Sequence, residues 1–416
     1  MQNPAPSSYR WVVLLLCCLA TAIPISGISS FQVLSPLLAE KLVLSGTQSM
    51  QLLSLYTWGL WLGFAVAGPS ISFIGIRATL TGGLLCFSLP QFLIPFTDSL
   101  LPILALRFIQ GLCSVCIPIM LSYVSSSGWF PPSEQGLSTG MIFGALNAGA
   151  YLGSSLSSPF LAGGATLPMC LLGGCALAVS AAVHLGLRPP DTKTRARCTA
   201  DTDKTPAAHP LSLWPTWVLL LLFIPIRAAY WAMPLVWPVY AGWLGFSAGQ
   251  FDAVYAMIGM LGFMGILGGA VSDLVLKKTD DIMLARVGML LICLALTGGA
   301  IVATAMAHTL VPLLWTLVLL SSIHAGSTIF WTLLGIVYPP DPIFMGRCAS
   351  VITFAGNSPV IFILPVCAWL AAETSWSTAF LVFGAAFTAS SVLLMYPLKH
   401  IVAKKEHNCR SAAPLE

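Results

Sequence analysis

Long apolar segments recur along almost the whole chain, and no other feature constrains the fold as strongly. A helix of roughly 20 apolar residues crosses the bilayer core, which is about 30 Å thick. Windows of that size predict twelve membrane spans, at residues 11–38, 48–70, 78–97, 101–127, 136–162, 166–187, 213–241, 248–275, 282–305, 310–337, 346–372 and 376–398. Uninterrupted apolar runs indicate helices, because the strands of a membrane barrel alternate in polarity over about ten residues.

The composition excludes an ordinary soluble fold. Only 8% of the 416 residues are charged and 57% are hydrophobic, whereas soluble domains carry about 25% charged residues. The first span is too long for a signal peptide and lacks a clear small-residue cleavage site, so we expect it to be retained. Most of the 12 cysteines lie inside spans. We expect no disulfide framework, and we interpret Cys113 and Cys116 as packing residues in preference to metal ligands.

The basic residues fall almost entirely on one side of the predicted spans. With a cytoplasmic N-terminus, the inside segments carry Arg10, Arg77, Arg188, Lys193, Arg195, Arg197, Lys204, Lys277, Lys278, Arg286, Arg347, Lys399, Lys404, Lys405 and Arg410. The outside loops carry Lys41, while Arg107 and Arg227 fall within spans. This pattern follows the positive-inside rule and predicts two cytoplasmic termini in a plasma (inner) membrane protein. The basic loops require no nucleic-acid partner.

A polar segment divides the chain into two halves of six spans. Residues 188–210 are rich in Lys, Arg, Asp, Thr and Pro, a composition typical of a flexible linker. The predicted organisation is a six-helix bundle at 1–187, a cytoplasmic linker at 188–212, a second six-helix bundle at 213–398 and a cytoplasmic tail at 399–416.

The two halves carry related motifs at matching places. The segments 68–77 and 269–278 end spans two and eight, and each places a polar residue, Ser72 or Asp273, four positions after a glycine. Each segment also has a basic residue nine positions after that glycine. Two parallel six-helix halves around a central path are an established transporter architecture.

The span count, the six-plus-six division and these loops together resemble the major facilitator superfamily over essentially the whole chain. The family loop motif is Gly-x-x-x-Asp-x-x-Gly-Arg-Lys/Arg. The second copy here keeps Gly269, Asp273, Lys277 and Lys278, with Leu276 at the second glycine. The first copy keeps Gly68, Gly75 and Arg77, with Ser72 in place of the acid.

Two further segments resemble motifs of the same family. The run from Arg107 to Gly111 is similar to the Arg-x-x-x-Gly core of the fourth-helix motif. The run 129–140 resembles the junction between the fourth and fifth helices of the anion-porter branch, although Gln135 stands where that branch usually has a basic residue. The resemblance implies two pseudo-symmetric six-helix bundles, alternating access and a functional monomer. It also implies that spans one, four, seven and ten line the central path.

Arg227 is the leading candidate for a binding residue, because it lies near the middle of span seven. A charge at bilayer depth costs at least a few kcal/mol and is rare without a ligand or pathway to serve. The arginine fork suits carboxylate or phosphate. His324 falls at the midpoint of span ten and can donate, accept or titrate. A structural charge and a packing histidine are the respective alternatives.

Aromatic and amide side chains at similar depths complete the candidate site. Tyr230 and Trp231 share a helical face with Arg227, and they either contact the ligand or pack. The further candidates, which are polar or aromatic and fall on spans one, four, five and eleven, are Gln32, Tyr123, Asn147 and Asn357. Buried amides between membrane helices also serve simply to join the helices.

A second group of residues is predicted to act in gating or coupling. Asp273 is expected to bind the free N–H groups at the start of span five and so to hold the cytoplasmic side shut. Its counterpart Ser72 supplies no charge, so we expect the gate to be electrostatically asymmetric, with the Asp273 contact dominating. Asp252 is either a proton-coupling acid or a solvated helix-start residue, and Arg107 either braces span four or takes part in coupling. The remaining members of this group are Lys277, Lys278 and Arg77.

These residues predict a secondary transporter, most simply of a small organic anion, coupled to a proton or a counter-substrate. We expect no enzyme, cofactor or metal, since neither a phosphate-binding Gly-Lys-Ser/Thr loop nor a catalytic or metal-ligand cluster is present. Transport of a bulkier hydrophobic compound, such as a drug or a siderophore-like metabolite, is one alternative, suggested by the aromatic-rich span seven. A transporter-like receptor that moves nothing is the other.

Overall fold

The protein is almost entirely helical in the computed structural model, which describes residues 8–114, 119–121, 123–124, 129–160, 164–188, 209–246, 262–339, 341–358 and 360–411. No strand occurs in these ranges. The α-helices are α1 (Tyr9–Lys41), α2 (Gly46–Leu93), α3 (Leu100–Cys113), α4 (Gln135–Ser157), α5 (Thr166–Gly186), α6 (Trp214–Arg227), α7 (Met233–Trp243), α8 (Met264–Thr279), α9 (Met289–Thr304), α10 (Leu310–Leu320), α11 (Ser322–Val337), α12 (Pro342–Asn357), α13 (Val360–Glu373) and α14 (Trp376–Ser411). Two π-helices, Ala228–Ala232 and Met283–Gly288, join α6 to α7 and lead into α9. The all-α membrane fold is thereby confirmed.

Local breaks explain how twelve predicted spans become this set of helices. Spans two and three both lie in α2, which changes direction at Gly75, where the backbone has φ 80° and ψ 163°. Span ten is divided at Ser321 into α10 and α11, and span eleven is divided into α12 and α13. Span twelve continues as α14 to Ser411, so helix extends into the predicted tail. Parts of spans four, five and eight, at 115–118, 122, 125–127, 161–162 and 248–261, lie outside the described residues.

Six helical segments of the described part are long and apolar enough to cross a membrane: Tyr9–Lys41, Thr47–Phe96, Thr166–Gly186, Met283–Thr304, Leu310–Val337 and Trp376–Lys405. Large apolar side chains on them remain exposed, among them Phe73, Leu185 and Leu393. Such extensive apolar surface is a liability in water but is compatible with lipid.

The chain forms two compact units that follow its two halves with one exchange. The first unit contains Met1–Phe130, Gly144–Asp201 and Pro340–Phe354, and the second contains Pro131–Phe143, Thr202–Pro339 and Ala355–Glu416. The beginnings of α4 and α12, which occupy corresponding places in the two halves, are therefore each part of the other unit.

Small residues bring the helices of the first unit close together. A Cβ added at Gly111 would collide with the backbone oxygen of Tyr56, so α3 and α2 approach to backbone contact. Gly149 and Gly153 in α4 lie equally close to α1, and the Ser26 hydroxyl donates to the Gly149 carbonyl at 2.9 Å. Membrane helices associate through such small residues, because lipid provides no hydrophobic drive for them to pack.

The second unit uses the same device around α8. Gly268 lies against Ala325 of α11, and Gly265 lies against Gly140 of α4. Gly136 and Gly269 approach so closely that a Cβ on either would collide with the backbone of the other. These glycines fix α8 between α4 and α11, which positions both groups of residues described next.

Candidate functional site

Arg227 lies where the predicted span seven changes its helical form. It is the last residue of α6, and the next five residues, Ala228–Ala232, form a π-helix before α7 begins. Pro225, inside the last turn of α6, has no N–H to donate and weakens the ladder there. Single π-turns of this kind are found frequently at functional sites. The prolines that the sequence places in span seven thus accompany an irregular turn directly after the arginine.

The Arg227 side chain is buried, with 7% of its surface exposed. Its Nε donates a hydrogen bond to Oδ1 of Asn357 over 2.8 Å. The guanidinium carbon lies 5.1 Å from the ring centre of Tyr230 and 5.5 Å from that of Phe223. Because Asn357 and the two rings are neutral, these contacts orient the guanidinium without cancelling its charge. A buried, oriented cation of this kind is suited to bind an anion.

His324 also contacts the Tyr230 ring. The two rings meet edge to face, with centroids 4.6 Å apart, and the histidine is 8% exposed. Its Nδ1 has no hydrogen-bond partner among the described residues. The structure therefore brings together four predicted residues, namely Arg227, Asn357, Tyr230 and His324.

An aromatic cluster forms the neighbouring wall of this site. Phe223 stacks on Phe330 at 5.0 Å between centroids and meets Trp331 edge to face at 5.5 Å. Gly356, next to Asn357, lies directly against the Phe223 ring, so any larger side chain there would displace it. The arginine is thus set among rings that can cover the apolar surface of a ligand.

The other predicted binding residues lie elsewhere. Gln32 is exposed on α1 and Asn147 is half-buried in α4, and both belong to the first unit. Tyr123, also in that unit, donates its hydroxyl to the Arg188 carbonyl over 2.7 Å. The side chain of Trp231 lies outside the described residues.

Arg107 is held in the core of the first unit by neutral partners. It is 1% exposed, and its Nε donates to the Leu52 carbonyl at 3.3 Å. Its Nη1 donates to Gln110, whose amide continues to Gln91. The guanidinium carbon lies 3.7 Å from the Phe31 ring centre. These contacts fit the bracing alternative given above.

Asp273 belongs to α8, and its carboxylate accepts from two backbone groups at the start of α4. Oδ1 accepts from the Gly136 N–H at 2.9 Å and Oδ2 from the Leu137 N–H at 2.7 Å. The first N–H groups of a helix have no partner within the helix and carry partial positive charge. This geometry is the helix-start contact that the sequence predicts.

Arg286 completes this contact, a role that was not predicted from the sequence. It is 1% exposed and forms a 2.6 Å ion pair with Asp273. It also donates to the Pro132 carbonyl and to the Ser272 hydroxyl, both at 2.6 Å. We call Asp273, Arg286 and the α4 start the latch. One feature of the sequence could have indicated this role, since Arg286 falls inside the predicted limits of span nine.

The remaining gating candidates are not part of the latch. Lys277, Lys278 and Arg77 are exposed, and Asp252 lies outside the described residues. Ser72, the counterpart of Asp273, donates its hydroxyl back to the Gly68 carbonyl of its own helix at 3.1 Å. In the described part of the chain, no group of three or more His, Cys, Asp or Glu side chains is placed to hold a metal.

Comparison with known proteins agrees with this architecture. The family model described as Major Facilitator Superfamily matches residues 14–362. The hexuronate transporter of Bacillus subtilis (strain 168) is 23% identical over 414 residues, covering 94% of this chain and 95% of the relative.

Two solved structures share the fold. The human organic anion transporter MFSD10 (TETRAN) superposes with a TM-score of 0.73 at 14% identity, covering 94% of this chain and 100% of the other. The proton:xylose symporter XylE has a TM-score of 0.67 at 15% identity, with 95% and 96% covered.

Proposed function

The chain belongs to the major facilitator superfamily, and on that premise we propose that it is a secondary active transporter of a small organic anion. The family consists of multi-pass membrane transporters, so the chain is a transporter and not an enzyme. The observation that carries the anion proposal is the buried Arg227, oriented by a neutral amide in the middle of a membrane span.

The position of Arg227 within a membrane span has an energetic cost. A charge at bilayer depth is expensive unless a partner compensates for it. A carboxylate or phosphate beside Arg227 would bind through charge-assisted hydrogen bonds, which are about twice as strong as neutral ones. The hydrogen bond from Arg227 Nε to Asn357 orients the guanidinium for such a ligand.

The relatives support the same substrate class. A hexuronate carries a carboxylate on a sugar skeleton, and the relative named for it aligns with nearly the whole chain. The fold neighbour MFSD10 is named an organic anion transporter. Both names agree with a cationic centre in the second unit.

We place both termini in the cytoplasm of a plasma (inner) membrane, as the basic residues predict, with a functional monomer and a proton or counter-substrate as the coupled species. In alternating access, substrate shifts the equilibrium only by the difference between its affinities for the two states. The latch would stabilise the state with a closed cytoplasmic side, and its release would accompany opening.

The aromatic cluster favours one second candidate. Phe223, Phe330 and Trp331 offer apolar ring surface beside the arginine, which suits a bulkier hydrophobic compound. Such a ligand would gain its affinity from the rings and would depend little on Arg227.

The test combines uptake and thermal-shift measurements on the wild type, Arg227→Gln and Arg227→Lys. D-glucuronate is the anionic probe and tetraphenylphosphonium is the hydrophobic cation. A ligand at 100 times its Kd stabilises the native state by about 2.7 kcal/mol. We expect glucuronate to stabilise the wild type, to have no effect on Arg227→Gln, and to act weakly on Arg227→Lys, which keeps the charge but loses the Nε bond.

Two results would change the proposed substrate class. Full glucuronate uptake by a folded Arg227→Gln protein would refute the anion site. Stabilisation by tetraphenylphosphonium alone, equal in all three proteins, would support the hydrophobic-compound alternative. If Arg227→Gln fails to fold, the graded loss in Arg227→Lys carries the test.

A further inference from the structure

We propose that Ser327 and His324 recognise a hydroxyl group of the substrate, so that the transported anion is a hydroxylated monocarboxylate. This inference rests on the proposed function, because it takes Arg227 as the residue that binds the carboxylate. It adds a second recognition element, which selects among carboxylates by the hydroxyl that they carry.

The contacts between two helices place Ser327 at the level of Arg227. Phe223, in α6, meets Trp331 of α11, while Tyr230, further along the chain, meets His324 earlier in α11. The two segments therefore run antiparallel. Ser327 is three residues after His324 and four before Trp331, so the three share one face of α11.

Arg227 occupies the corresponding middle position on the other segment. It is four residues after Phe223 and three before Tyr230, and its guanidinium lies beside both rings. The middle residues of the two facing stretches, Arg227 and Ser327, thus fall at the same depth.

The Ser327 hydroxyl is fully buried and has no hydrogen-bond partner among the described residues. The same is true of His324 Nδ1, which belongs to a residue only 8% exposed. Buried polar groups in native proteins are nearly always satisfied, and each exception needs a physical explanation. Two exceptions on one face of one helix, one turn apart and beside a buried cation, point to a ligand that supplies the missing bonds.

The other hydroxyls of this helix show that Ser327 is exceptional. Thr328 donates to the His324 carbonyl, Thr332 to the Ile329 carbonyl and Ser322 to the Cys293 carbonyl. Ser321, just before the helix, donates to the Val318 carbonyl. The hydroxyls of Ser321, Thr328 and Thr332 bond to the preceding turn, as is usual in a membrane helix. Ser322 bonds to Cys293 of α9. The Ser327 hydroxyl does neither and is left available toward α6.

The chemistry of these groups selects a hydroxyl. A serine hydroxyl both donates and accepts, and neutral imidazole does the same through its two nitrogens. A substrate hydroxyl can therefore bond to both, whereas a second carboxylate would meet no second cation from these residues. The rings of Phe223, Tyr230 and Trp331 would cover the C–H faces of the same molecule.

The experiment uses pairs of monocarboxylates that share a skeleton and differ in their hydroxyls: glucuronate with tetrahydropyran-2-carboxylate, gluconate with hexanoate, and lactate with propionate. Kd is measured by calorimetry for the wild type, Ser327→Ala, His324→Asn and Arg227→Gln. Ser321→Ala is the matched control, because its hydroxyl is satisfied by its own segment.

We expect the hydroxylated member of at least one pair to bind the wild type at least about tenfold more tightly, because a site that bonds a hydroxyl rejects an analogue without one. Ser327→Ala and His324→Asn should each weaken that member about tenfold and leave the deoxy member unchanged. Ser321→Ala should change neither.

Equal affinity within every pair, with all binding lost in Arg227→Gln, would overturn this inference and leave the proposed function standing. An equal loss in Ser321→Ala and Ser327→Ala would also overturn it, since both would then act through the helix. Binding of no carboxylate to any of the proteins would refute the proposed function and this inference together.

Discussion

The free energy that the latch contributes to the structure can be tested by removing the Asp273 charge. In Asp273→Asn, the buried Arg286 loses its ion pair, and the Asn side chain can accept from only one of the two backbone N–H groups of Gly136 and Leu137. Removing one partner of a buried pair costs about 3 to 5 kcal/mol, because the other charge stays buried. We take about 3 kcal/mol, since one hydrogen bond is retained.

This loss should appear in amide exchange at the start of α4. A difference of 1.4 kcal/mol is a factor of ten in an equilibrium constant, so about 3 kcal/mol corresponds to opening roughly 10²-fold more often. Hydrogen exchange followed by mass spectrometry on peptides covering 131–143 measures this directly. We expect faster exchange at Gly136 and Leu137, with little change in the α13 and α14 peptides.

Two controls separate the latch from a general effect of substitution. Ser72→Ala removes a hydroxyl that bonds only to its own helix, and Lys277→Gln removes an exposed charge from the latch helix α8. Neither should alter exchange at 131–143. In Asp273→Asn combined with Arg286→Met, the buried cation is gone, so the double variant should be less destabilised than the two single effects added together. Unchanged exchange in Asp273→Asn, or strict additivity in the double variant, would refute this reasoning.

Two further predictions concern packing. Gly136→Ala would drive a Cβ into the Gly269 carbonyl and the Asp273 carboxylate, so we expect loss of thermal stability and of transport. Gly174→Ala is the control and should change neither, because nothing lies within 4 Å of a Cβ there. Equal melting temperatures for the two variants would contradict this prediction. Arg107→Lys should lower the melting temperature by a few degrees through loss of the bonds to Leu52 and Gln110, with uptake per folded molecule unchanged and exposed Arg77→Lys as the control. Loss of uptake at an unchanged melting temperature would instead assign Arg107 to coupling.

The sequence predicts the fold well because a membrane strongly restricts the segments that can cross it. Each span must be long, apolar and internally hydrogen-bonded, so hydropathy alone locates most of the helices. It does not reveal the break at Ser321 or the π-turn after Arg227, which depend on local hydrogen bonds that polarity does not encode. The exchange of the α4 and α12 beginnings between the units is a matter of tertiary packing, and no local sequence pattern indicates it.

The candidate site was predicted unevenly for a similar reason. Arg227 and His324 stand out because charge and polarity are rare at that depth. Asn357 was a candidate because it is a polar residue within a predicted span, but its bond to Arg227 was not predicted, because it joins residues far apart in the chain. Ser327 gave no signal at all. The same helix also carries Ser322, Thr328 and Thr332, and only the hydrogen bonds of these residues distinguish Ser327 from them.

The π-turn after Arg227 gives the binding helix a specific mechanical property. A π-turn closes its hydrogen bonds over one more residue than an α-turn, and each residue in an α-helix advances the chain by about 100°. Relaxing Ala228–Ala232 to α geometry would therefore turn everything after it by about that angle relative to Arg227 and Phe223. Tyr230 lies within this stretch, so the same change would also shift its ring relative to His324. The contact between the two rings thus depends on one additional residue in the turn.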